Sequence, residues 1–203
     1  MTEEEWLQTR NAADLIRYAR SNLKGRRGSI GRRLRLAACS YFRANWSELP
    51  DEMVRHAVEI AEAFADKQAG VIELIQAERS VSGSIGVDQS VYRFGCFALL
   101  HPQYARTISL IGFGPDYEHL CPWIRDIFGN PFRPISFDPS WRTSTAVAIA
   151  QSMYDSRDFG PMPLLADALQ DAGCEVPEII DHCRGPGPHV RGCWVVDSVL
   201  GKS

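Results

Sequence analysis

The chain lacks most of the signatures from which function is usually read. It has no CxxC pair, no GxGxxG or GxxxxGK[ST] string, and no segment recurring at a fixed period. The first absence removes the standard zinc fingers and ribbons. The second removes the common phosphate-cradling loops, so no cofactor is expected. The third removes solenoids and arrays. No apolar run approaches the roughly 18 residues that a membrane helix needs, so no membrane partner is expected. The N-terminal "MTEEEW" is acidic where an export signal would be basic and then apolar. A cytoplasmic location is expected on that ground. The six cysteines are scattered, so they read as reduced thiols, most of them buried.

Length and composition fit a folded protein. The 203 residues are 45% hydrophobic, enough for a core without disulfide staples. Net charge is −3 but unevenly placed. Residues 1–46 hold ten Lys/Arg against four Asp/Glu, or +6, and the remainder holds twelve against twenty-one, or −9. The excess centres on "KGRRGSIGRRLR". Arg26, Arg27, Arg32 and Arg33 are its candidates for phosphate contacts with a nucleic acid. No aromatic interleaving accompanies them. The plainer expectation is a solvated helix start, with the charges docking on the acidic remainder, and with Arg32, Arg35 and Arg43 in water.

Helical periodicity dominates. Thr2 and Glu5 form a capping box, and Asn11 with Asp14 opens a second helix. "RRLRLAACSYFRANW" carries an apolar stripe. "PDEMVRHAVEIAEAFADKQ" places Val54, Ala57, Val58, Ala61, Phe64 and Ala65 on one face, with Arg55, Glu59, Glu62 and Asp66 on the polar face. "VIELIQAER" gives a further helix, and "SVSGSIGVDQS" reads as a loop. Residues 91–114 fit helix or strand. From Tyr117 a helix with Pro122 at its middle should end at Gly129–Asn130. An extended strap bearing Phe128, Phe132, Phe137 and Trp141 then follows, expected to pin itself to the core. Helices through "TSTAVAIAQSMYDSR", "PMPLLADALQDAGC" and "VPEIIDHCRG" come next, and the chain closes on a buried helix through "VRGCWVVDSVLG". The expected fold is all-α, one helical domain over 1–203, with a sub-boundary near 80–90 separating 1–82 from 91–203.

One stretch concentrates chemistry. "HCRGPGPHVRGCWVVD" holds two histidines, two cysteines and an aspartate. With Cys174, the spacing C-x7-H-C-x5-H-x3-C supplies zinc-type donors in no standard pattern. Cys174, His182, His189 and Cys193 are the metal candidates. His189 and Cys193 lead, because four residues would separate them by one turn of a shared helix. Catalysis fits less well. A thiol nucleophile needs a histidine base, and that histidine needs an orienting group. On one helix Asp197 would lie about 12 Å along the axis from His189, at about 1.5 Å per residue. A different carboxylate would be required, and the spacing names none, so no catalytic residue is assigned. The plainest expectation is packing: these histidines and thiols fill the core and end helices around a rigid "GPGP" turn.

Several strings resemble a large paralogous family of planctomycete bacterial proteins without an assigned activity. They are "MTEEEWL", "LRLAACSYFRANW", "AVEIAEAFAD", "RDIFGNPFRP", "PLLADALQDAGC" and "HCRGPGPHVRGCWVVDSVLGK". The resemblance covers most of the chain except about 68–117, and implies no cofactor or site residue. That family's third helix carries an "ACACCR" run. Here the segment is "AACSYFR", which keeps Cys39 but sets Ser40, Tyr41 and Phe42 beside it. Tyrosine and phenylalanine cannot replace thiolate ligands, so packing is expected there. The expected function is a non-enzymatic interaction or regulatory module with a protein partner. The alternatives are a zinc protein using the tail cluster and a nucleic-acid binder using the basic segment.

Overall fold

A computed structural model describes residues 1–22, 27–49, 52–84, 118 and 120–202. Every regular element among them is helical, as the periodicity predicts. The expectations for residues 91–114 and for Arg26 lie outside the described residues. None of the described helices is long and apolar enough to cross a membrane. The chain divides into two compact units, Met1–Ile124 and Arg125–Ser203.

The first unit holds α1 (Glu3–Gln8), α2 (Ala12–Asn22), α3 (Arg27–Ala44), α4 (Glu52–Ala65) and α5 (Val71–Ser84). The capping box forms: the Thr2 hydroxyl accepts from Glu5 N, and Thr2 N donates to the Glu5 carboxylate. α3 packs on α4, and α4 on α5. Leu34, Phe42, Val54, Val58, Ala61 and Leu74 lie in the interior.

Two expectations are corrected in this unit. Ser80–Ser84 are the last turn of α5 and not a loop. The Ser80 hydroxyl donates to Gln76 O at 3.0 Å and Val81 is buried, so tertiary packing outweighs the weak helix propensity of serine and glycine. The residues expected at the polar surface also turn inward. Arg32 and Arg35 are buried, and so is Glu62. Arg32 donates to Asp66 Oδ1 at 3.0 Å, and Arg43 grips Glu62 through two hydrogen bonds of 3.0 and 2.9 Å. The heads of Arg32 and Arg43 thus meet carboxylates at and just beyond the end of α4, whereas Arg35 lies over the Phe64 ring.

α6 (Leu120–Phe128) carries the boundary between the units. It starts later than expected, which puts Pro122 in the first turn, where its missing amide hydrogen has no helical partner to lose. Gly129 ends it with φ +67, the left-handed geometry that glycine adopts without strain.

The second unit continues with α7 (Ser144–Ser156), α8 (Met162–Asp171), α9 (Pro177–Arg184) and α10 (Trp194–Leu200). α7 packs on α8 and α10, and α9 packs on α8 and α10. Met153, Tyr154, Leu165, Leu169, Ile179, Val195 and Val199 form its core. Phe137 and Trp141 meet edge to face at 5.3 Å and lie against that core, which pins the proline-rich strap as expected. The closing helix is shorter than expected. It starts only at Trp194, with Cys193 as its cap residue.

Candidate metal centre

The second unit brings together four side chains from three places in its sequence. Asp126 lies on α6, two residues before its end. His182 lies in the last turn of α9. His189 and Cys193 lie on the connection from α9 to α10. One ligand atom from each falls within 4.8 Å of every other.

The local sequence explains how the connection can do this. Gly185 ends α9, and the Gly187–Pro188 peptide is cis. Gly187 has φ +80, and a Cβ there would stand 3.0 Å from the His189 backbone nitrogen. Only glycine lets the chain fold back so closely. Gly192, at φ +96, makes the last bend before Cys193. His189 and Cys193 therefore do not share a helical turn, contrary to expectation. Glycine and proline keep the helix from starting until the thiol has been delivered.

The contacts converge. Asp126 Oδ1 is 2.8 Å from His189 Nδ1 and 3.1 Å from His182 Nε2. His182 Nε2 is also 3.2 Å from Cys193 Sγ. The second carboxylate oxygen is held separately, because Val190 N–H donates to Asp126 Oδ2 at 2.9 Å. That bond leaves Oδ1 facing the histidines. The Nε2 atom of His189 is buried without a hydrogen-bond partner. Side-chain exposure is 3% for Asp126, 8% for His189 and 20% for His182, and Cys193 is fully buried.

The electrostatics of this group are unusual for an interior. Burial by itself would raise the Asp126 carboxyl, but hydrogen bonds from His182 and His189 outweigh it and hold the group below its ordinary range. Asp126 has no lysine or arginine partner among the described residues. Burial, and then the Asp126 charge, push the Cys193 thiol well above its ordinary range. Backbone N–H groups of Val196 and Val195 at the start of α10 act in the opposite direction. A cation at the centre would reverse that balance, since a coordinating thiol is deprotonated outright, and those two N–H groups are already placed to hold the thiolate.

This arrangement does not work as a Cys–His–carboxylate triad. In a triad one imidazole nitrogen serves the thiol and the other is oriented by the acid. Here the same atom, His182 Nε2, faces both Cys193 Sγ and Asp126 Oδ1. A proton relay needs donors in line, whereas these point at a common centre.

Of the expected metal candidates, His182, His189 and Cys193 meet, and Cys174 does not join them. Cys174 and Cys183 sit in the hydrophobic core instead, where burial pushes the Cys183 thiol up to about 12. Asp126 was not anticipated, because it lies 63 residues before His189 on a helix read only for its apolar stripe.

The nucleic-acid candidates are not gathered in this way. Arg32 is buried against Asp66, Arg33 is half-buried, and the Arg27 side chain and all of Arg26 lie outside what is described.

No family model, curated protein or solved structure matches this chain.

Proposed function

We propose that the C-terminal unit is a zinc-binding module in which Asp126, His182, His189 and Cys193 hold one ion, and that the metal's work is structural and not catalytic. The observation that carries this reading is the convergence of four donors of zinc type within 4.8 Å in the interior of the unit. The geometry suits the ion. Donors about 2.0–2.3 Å from a tetrahedral zinc stand roughly 3.3–3.7 Å from one another. The 2.8, 3.1 and 3.2 Å contacts are slightly tighter than that edge, and the remaining separations reach no more than 4.8 Å, so side-chain shifts in both directions would admit the ion. One thiolate, two imidazoles and one carboxylate favour zinc over calcium or magnesium, which take oxygen ligands.

Four protein ligands close a tetrahedral shell and leave no position for a reacting water, which is the pattern of a structural site. A non-enzymatic module fits that pattern, and its protein partner remains part of this proposal. Elemental analysis of the purified chain provides the test. One zinc per chain, lost in both Asp126→Ala and Cys193→Ala, is expected. A metal-free chain that also fails to take up zinc or cobalt would reduce the cluster to a hydrogen-bonded helix end.

A further inference from the structure

Resting on the zinc reading, we propose that Trp194 gates the metal centre: its indole covers the side from which an ion reaches the four donors, and so sets the rate of metal exchange.

The donors are not equally enclosed. Cys193 is fully buried, Asp126 and His189 are 3% and 8% exposed, and only His182 is appreciably open, at 20%. An ion therefore arrives and leaves along His182. Trp194 packs beside the ring of that histidine. Its ring is 5.2 Å from the His182 ring, with the planes tilted by 54°. It is half-buried and directly follows the donor Cys193, at the first residue of α10. The start of that helix thus fixes the backbone of ligand and cover together, while the indole keeps its side-chain torsions.

The space for the indole is made by a second element. A Cβ on Gly129 would stand 3.3 Å from Trp194 Cγ and 3.5 Å from its Cδ1 and Cδ2. Glycine at 129 therefore serves twice, for its φ of +67 and for the bare backbone against which the indole lies. An apolar plate at this position keeps water from the metal–ligand bonds, and the hydrophobic shell of a metal site controls both solvent access and local dielectric. Ligand exchange then waits on the swing of the indole.

The test uses the full chain loaded with zinc, with release followed as transfer to a chromophoric chelator and uptake followed by rapid mixing of the metal-free chain with zinc. In Trp194→Ala both rates should rise together by about tenfold or more, with the dissociation constant nearly unchanged. The cobalt-substituted variant should keep the thiolate charge-transfer band of the parent. Trp194→Phe, which keeps an aromatic plate, should restore slow exchange in large part, and it also serves if the alanine variant fails to fold. Unchanged exchange rates in a zinc-loaded variant would overturn the gate. So would faster release with unchanged uptake, since that describes a positioning role for His182. A parent chain that binds no zinc would instead fail the reading beneath it, so the two failures are distinct.

Discussion

The two units bury charge by opposite means. Among the described residues of the N-terminal unit, the buried carboxylates meet arginines: Asp66 with Arg32, and Glu62 with Arg43 in a bidentate grip. In the C-terminal unit Asp126 is equally buried but meets two imidazoles and stands beside a thiol. Arginine is charged at any working pH, so the first kind of site is complete as it stands. Imidazole and thiol also carry lone pairs, so on the zinc reading the second kind is a set of ligand atoms that a divalent cation would complete. A buried acid therefore points to a ligand only when its neighbours are themselves donors to metal.

That contrast can be broken or sharpened in graded steps. The largest effect should follow metal removal. Because binding to the folded state alone is folding free energy, stripping zinc should cost the C-terminal unit more than about 5 kcal/mol, read as a loss of cooperative unfolding with and without chelator. Next is Arg43→Ala, which strips the bidentate partner from a Glu62 side chain only 3% exposed. It should cost about 3 kcal/mol or more in urea unfolding while leaving zinc content unchanged. Gly187→Ala adds a Cβ 3.0 Å from the His189 nitrogen at a left-handed backbone position. Displacing His189 should weaken zinc by about tenfold in chelator competition, with little effect on the N-terminal unit. The smallest effect is Thr143→Ala. The Thr143 hydroxyl accepts from Ala146 N at 3.2 Å, and its loss should cost about 1 kcal/mol without moving metal affinity. If Gly187→Ala and Thr143→Ala gave the same pattern of losses, the distinction between metal-holding loop and ordinary helix end would collapse.

Much of the fold was legible in the sequence because it rests on local rules. The Thr2 cap and the left-handed end at Gly129 each depend on residues within one turn of each other. What was not legible depends on distance along the chain. Glu62 and Asp66 look like polar-face residues until α3 is laid beside α4 and presents its arginines. Ser80–Ser84 look like a loop until packing of Val81 holds the turn. The division between Ile124 and Arg125 falls inside α6, where helical periodicity gives no sign of it.

The candidate site divides in the same way. Three of its donors stand within twelve residues, His182 to Cys193, and their chemistry drew attention from spacing alone. Their geometry did not. A shared helical turn between His189 and Cys193 was the natural expectation, and the glycines at 187 and 192 replace it with a tight loop. The fourth donor, Asp126, enters through tertiary structure, anchored by the Val190 amide so that its free oxygen faces the histidines. Without that acid the tail residues read as packing, and with it they read as a coordination shell.

The account is tested most directly by X-ray absorption at the zinc edge of the purified full chain. It predicts a four-coordinate ion with one sulfur at about 2.3 Å and three nitrogen or oxygen neighbours at about 2.0–2.1 Å. A shell without sulfur, a six-coordinate oxygen environment, or no zinc signal from a folded protein would contradict it.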